Sequence, residues 1–164
     1  MNAMIQAVHH FALSVPDLDL ARTFYANLLG ANIISETAWG AGNERIDAIV
    51  GLGGSAARTF LARLHNVQVE VFEYTSPAPP PRNDDRPVHL HGYTHVGFQV
   101  DDIMATYERM VAAGLRFHTP PDISTITVDE HGRKSGFAAT YGRDFFGNVF
   151  EILEIHPNDN IKPI

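Results

Sequence analysis

Over residues 7–15 apolar and polar side chains alternate, with Phe11, Leu13 and Val15 on one side of an extended chain and His10, Ala12 and Ser14 on the other. That two-residue period predicts a strand with one greasy face. Pro16 and Asp17 then open a helix, Asp17 as its N-cap, in which Leu18, Ala21, Phe24, Tyr25 and Leu28 recur at helical spacing until Gly30. Apolar segments at roughly 31–35, 45–52 and 59–74 follow. The Gly-rich piece Gly51–Gly54 is expected as a turn between strands, and the last segment is expected to break near His65 and Asn66. Residues 8–74 therefore predict a β-α-β-β-β unit. From 75 to 93 the character changes: Pro77, Pro79, Pro80, Pro81 and Pro87 surround Asn83, Asp84 and Asp85, which rules out a regular ladder and predicts an extended, exposed connector. The first pattern returns over 94–156. A strand at 94–100 leads to a helix opened by Asp101 or Asp102 and closed by Gly114. Strands are expected near 115–118, 123–128, 136–141 and 148–155, with turns at Asp129–Gly132 and Asp144–Asn148 and a frayed tail after His156.

The return is a repeat. His10, Val15, Asp17 and Leu18 correspond to His95, Val100, Asp102 and Ile103 at a constant offset of 85 residues. Val69-Glu70-Val71-Phe72-Glu73 corresponds to Phe150-Glu151-Ile152-Leu153-Glu154 at an offset of 81. Neither unit is long enough to bury much by itself, so 164 residues suggest two small modules making one domain of the α+β class.

Composition narrows the partners. Nineteen acidic against twelve basic side chains give a formal charge of −7, the wrong sign for binding nucleic acid. The absence of cysteine removes disulfides, thiolate ligands and a thiol nucleophile together, and suits a reducing compartment. No basic flank precedes an apolar run at the N-terminus and no stretch of eighteen apolar residues occurs, so the expectation is a cytoplasmic protein with no membrane partner.

Strand alternation also sorts the chemistry-bearing residues. If Phe11, Leu13 and Val15 pack on the helix, His10 faces the other way; His95 does the same opposite Val96, Phe98 and Val100. Glu70 between Val69 and Val71, and Glu151 between Phe150 and Ile152, join that face. A single histidine or glutamate on a strand is ordinarily a satisfied polar residue. Two imidazoles and two carboxylates at repeat-related positions are instead a good donor set for a first-row divalent metal, with coordination positions to spare. His9, His65, His89, His91, His118, His131 and His156 show no such pairing and read as surface or lid residues, His89 and His91 being placed to approach a substrate from the connector.

These residues resemble the vicinal oxygen chelate superfamily, which includes glyoxalase I, methylmalonyl-CoA epimerase, extradiol dioxygenases, and the fosfomycin and bleomycin resistance proteins. The resemblance covers residues 8–155 and rests on His10 to Tyr25 with Leu29-Gly30, on Val69 to Tyr74, on His95 to Asp102, and on Arg143 to Glu151. The last departs from the usual pattern in having Phe145 where a proline is common. By resemblance, the two βαβββ modules form a cup-shaped mixed sheet with helices on its outer face. The metal ligands then fall on His10, Glu70, His95 and Glu151, not on His9. Glu70 and Glu151 become both ligands and acid/base groups, around one divalent ion per site, Ni, Co, Zn, Mn or Fe. A glutamate at position 70 matches the glyoxalase I set, implying a lyase or isomerase that moves a proton next to a carbonyl. The alternatives are a methylmalonyl-CoA-type epimerase, an iron(II) ring-cleaving dioxygenase, which needs only His10, His95 and Glu151, and a metal-free binding or resistance protein. Ala12, Ser14, Phe72, Gly97, Gln99 and Tyr141 are expected to line the pocket for a small-molecule substrate. Exposed sheet edges favour a homodimer.

Overall fold

The computed structural model describes residues 4–158 and 161–164, and the chain divides into two units, 1–82 and 83–164. Each has its own mixed sheet, so the α+β class expected from the pattern is the one observed, with two sheets in place of one. Among the described residues no helix is long and apolar enough to cross a membrane.

In the first unit β1 (His10–Ser14) lies parallel to β4 (Val67–Ser76), which pairs antiparallel with β3 (Ala56–Leu64), itself antiparallel to β2 (Asn32–Trp39). The turn between β3 and β4 falls at His65 and Asn66, as the sequence suggests. Asp17 caps α1 (Leu18–Arg22) by accepting a 2.8 Å hydrogen bond from the Leu20 N–H, and the helix runs on as a π-helical turn, Thr23–Leu28. Leu18, Ala21, Phe24 and Tyr25 are buried, as are Phe60, Val69 and Val71 of the sheet, which is the core that alternation and helical spacing together anticipate.

Residues 45–52 do not form the expected strand. They form α2 (Glu44–Val50): the Asn43 side chain caps the Ile46 N–H, Glu44 and Asp47 sit in the first turn where the helix dipole favours anions, and Gly51 ends it at φ 69°. None of its residues is buried, so no core contact was available to pull Ile46, Ile49 and Val50 into a sheet. Asp47 also accepts from the Gly54 and Ser55 N–H groups and from the Ser55 hydroxyl, which together hold its carboxyl below the usual carboxylate range.

The second unit repeats the plan. β5 (Val96–Val100) is parallel to β9 (Val149–His156), which pairs with β8 (Lys134–Arg143), and β8 carries the two-residue strands β6 (Arg116–Phe117) and β7 (Thr127–Val128). Asp102 caps α3 (Ile103–Ala112). The first half of the strand expected at 123–128 is a 3-10 turn, Ile123–Thr125, and only Thr127–Val128 is strand, because Asp122 accepts from the Ser124 N–H and because Gly136 lets the turn close in. A Cβ at Gly136 would lie 2.3 Å from the Thr125 carbonyl oxygen.

The two glutamates of each repeated strand serve opposite faces. Three positions apart, Glu70 and Glu73 point away from each other, and so do Glu151 and Glu154. Glu73 accepts from the Leu18 N–H at 3.1 Å, and Glu154 from the Ile103 N–H at 3.0 Å, so each caps the start of its unit's helix and leaves its sister on the other side of the sheet. Of the connector expected at 75–93, Thr75 and Ser76 still belong to β4; from 77 to 95 there is no helix or strand and the chain is largely exposed, yet Asp84 and Arg86 are fastened by their carbonyls to the buried Arg143 guanidinium. The tail is not frayed throughout: Asn158 and Ile161 exchange hydrogen bonds, while 159–160 lie outside the described residues.

Candidate functional site

The parallel register of β1 on β4 sets His10 beside Gln68 and Ala12 beside Glu70. His10 Nε2 and Glu70 Oε2 are 3.5 Å apart, with the two side chains 40% and 29% exposed. The other ring nitrogen of His10 meets His9 Nδ1 at 2.8 Å, and His9 Nε2 meets Gln68 Nε2 at 2.9 Å. Glu70, Phe72 and Tyr74 share a face. Phe72 and Tyr74 stack at 5.7 Å, and Trp39, placed opposite Ala57 just as Tyr74 is, stands edge-on to both at 6.1 and 6.0 Å. The Trp39 indole N–H donates to the Ser55 hydroxyl, which donates to Asp47, so the loop that follows α2 anchors an aromatic wall beside Glu70.

The second unit builds the same pair. His95, immediately before β5, puts Nε2 3.5 Å from Glu151 Oε2, with side chains 26% and 22% exposed. Its Nδ1 lies 2.9 Å from the Thr94 hydroxyl. Tyr141 is in register with Glu151, its ring 4.5 Å from that of His95 and its hydroxyl 3.5 Å from Nε2. Gly97 also faces Glu151 across the ladder, and a Cβ there would sit 3.3 Å from Oε2. Burial first, and the nearby Glu151 charge second, raise the Tyr141 phenol above its ordinary value; burial and then Glu70 do the same to Tyr74. Both hydroxyls therefore stay protonated at neutral pH.

A nitrogen–oxygen separation of 3.5 Å in each pair is longer than a hydrogen bond. It is close to the edge, about 3.4 Å, between two donors on one tetrahedral ion with bonds of about 2.1 Å. In both units Nε2 is the nitrogen presented, while Nδ1 is tied to the residue before, the outer contact that fixes a ligand imidazole's orientation. The donor chemistry thus fits a divalent metal. Each unit holds one histidine–glutamate pair of its own; among the described residues no group of three or more such side chains gathers as a ligand set.

Of the expected lining residues, Ala12 and Ser14 are exposed on the His10 face and Phe72 belongs to the aromatic wall. Gln99 is exposed on the His95 face, but its carboxamide oxygen already accepts the Ile164 N–H at 2.9 Å. Three of the histidines read as surface or lid residues do more than that. His9 braces His10, His118 contacts the Tyr141 ring at 6.1 Å, and His156 is half-buried 2.7 Å from Glu154. Trp39 and Tyr74 were absent from the expected lining. Tyr74 could have been found, lying four residues after Glu70 on the same strand face; Trp39 could not, because its place depends on the pairing of β2 with β3.

The chain matches the family model described as the Glyoxalase/Bleomycin resistance protein/Dioxygenase superfamily over residues 7–152. It belongs to that superfamily, the vicinal oxygen chelate group. Among its relatives is a 2-epi-5-epi-valiolone epimerase from an Actinomyces species, 33% identical over 142 residues, covering 83% of this chain and 75% of the relative. A glyoxalase family protein from Bacillus cereus has the same fold, with a TM-score of 0.77 at 18% identity, covering 95% of this chain and 97% of that one. The fosfomycin resistance protein of Listeria monocytogenes, solved with Mn(II) and sulfate, matches with a TM-score of 0.56 at 18% identity over 92% of this chain and 93% of its own.

Proposed function

We propose that this protein is a divalent-metal-dependent enzyme that moves a proton on the carbon next to a carbonyl, an isomerase or epimerase by class. The observation that carries the reading is the duplicated pair, His10 with Glu70 and His95 with Glu151, each held at the same separation. His10, Glu70, His95 and Glu151 would be the ligands, and a bound ion, Mn, Ni, Co, Zn or Fe, would supply Lewis acidity toward the substrate carbonyl. The finer assignment to glyoxalase I chemistry rests on Glu70 alone, whereas the epimerase relative favours inversion at carbon.

The chain's own groups divide the work. One glutamate takes the proton at Oε2 and the other returns one; return to the opposite face inverts the carbon, and return to the neighbouring atom isomerises it. The Tyr141 hydroxyl, kept protonated, orients a substrate oxygen beside His95. Phe72, Tyr74 and Trp39 exclude water from the Glu70 side. An iron(II) ring-cleaving reaction would leave the His10–Glu70 contact without a task for its carboxylate, which is why it ranks second.

The test is proton exchange. Methylmalonyl-CoA and the methylglyoxal–glutathione hemithioacetal, incubated with metal-loaded protein in D2O, should lose the proton beside the carbonyl and gain deuterium. Glu70→Gln and Glu151→Gln should each slow exchange by about 10²–10⁴-fold. Absence of exchange with every metal above would remove the reading.

A further inference from the structure

Gln68, His9 and His10 form one line of close polar contacts that ends with His10 facing Glu70, and the proposed reaction uses only the last two of these four residues. Gln68 is 8% exposed and occupies the same strand face as Glu70, beside His10 in the ladder. Its Nε2 approaches His9 Nε2 at 2.9 Å, His9 Nδ1 approaches His10 Nδ1 at 2.8 Å, and His10 Nε2 faces Glu70 Oε2 at 3.5 Å.

Each link dictates the next. A carboxamide nitrogen can only donate, so His9 Nε2 accepts. A neutral imidazole that accepts at Nε2 carries its proton on Nδ1, and His9 therefore donates to His10 Nδ1. His10 in turn carries its own proton on Nε2, the atom aimed at Glu70. In that state His10 has no lone pair for a cation. Turning the Gln68 amide over gives up the 3.5 Å contact of its Nε2 with the His9 carbonyl oxygen, presents Oε1, an acceptor, to the ring, and reverses the links: His9 is protonated on Nε2, His10 donates from Nδ1, and His10 Nε2 is free to ligate. Glutamine alone among side chains of this shape serves both states.

We propose that Gln68 and His9 are positioning residues, a tautomer relay that sets whether His10 Nε2 carries the proton on the Glu70 side or offers its lone pair there to a metal. The purpose of the relay rests on the metal reading of the site; its existence does not. The matching position in the second unit is Thr94, whose hydroxyl donates or accepts toward His95 Nδ1 by simple rotation and imposes no tautomer. The two repeat-related histidines are thus held by different means.

The experiment reads tautomers directly, by long-range ¹H–¹⁵N correlation on ¹⁵N-labelled protein in mildly alkaline buffer. The metal-free wild type should show His9 protonated on Nδ1 and His10 on Nε2. Gln68→Glu, whose carboxylate only accepts, should reverse both, and so should Zn²⁺ added to the wild type. Calorimetry with Zn²⁺ should show affinity lowered about 10–100-fold in His9→Ala, an exposed position that does not threaten the fold, and restored in His9→Thr, which copies Thr94. A His10 tautomer indifferent to both Gln68→Glu and His9→Ala would overturn the relay. A wild type that binds no Zn²⁺ overturns the metal reading instead, and the relay then stands or falls on the spectra alone.

Discussion

Single atoms decide how well each carboxylate is presented. At Gly97 an added methyl would press within 3.3 Å of Glu151 Oε2, while the strand itself would tolerate alanine. Gly97→Ala should therefore keep its melting temperature within a few degrees and lose about tenfold or more in Zn²⁺ affinity, read by calorimetry beside a thermal melt. A loss of stability with affinity unchanged would contradict the placement. On the other face of β9 from Glu151, burial pushes the Glu154 carboxyl up, but hydrogen bonds from the Ile103 N–H and His156, with attraction to Lys134, outweigh it and hold the group below its ordinary value of about 4.5. A carboxyl with its folded value below its unfolded one stabilises the protein above the unfolded value and loses that contribution as pH falls through the folded one. Thermal melts from pH 7 to pH 3 should show the wild type losing stability below about pH 4.5 and Glu154→Gln, already weaker by about 1–3 kcal/mol at neutral pH, losing much less. Alternation alone was enough to place His10, His95, Glu70 and Glu151 on their faces. His9 escaped it because its partner, Gln68, is brought to it by pairing between strands; His156 was within its reach, lying two residues after Glu154 on the same face of β9.

The elements show where local pattern stops being informative. Strands β1, β4, β5 and β9 and helices α1 and α3 follow directly from two-residue and helical periods bounded by Asp17, Gly30, Asp102 and Gly114. Residues 45–52 misled because a short apolar run looks the same in a strand and in an exposed helix; Asn43 and Gly51, the cap residues, held the deciding information. That helix matters for function through its Asp47, which ties the following loop to Ser55 and so to Trp39. Trp39 is the chain's one tryptophan, so its emission reports whatever arrives beside Glu70. With Zn²⁺ present, benzoylformate should bind about three- to tenfold tighter than pyruvate, the worth of one ring stacked on an aromatic wall, and Phe72→Ala should erase the difference. Equal affinities in the wild type would mean the wall does not meet the substrate.

At the scale of the whole molecule the duplication is the governing fact. Offsets of 85 and 81 residues recur not only in the histidine–glutamate pairs but in the helix caps Glu73 and Glu154 and in the outer contacts made by His9 and Thr94. A repeat that preserved only the fold would preserve its core and caps; this one also preserves a histidine Nε2 facing a glutamate oxygen at 3.5 Å in both copies. The proposal is that the two pairs act as one ligand set. Metal content by mass spectrometry, after dialysis against a divalent metal mixture, tests it most directly. One equivalent per chain in the wild type, falling close to zero in His10→Ala and in His95→Ala alike, is the expected result; full retention of metal in either variant would contradict it.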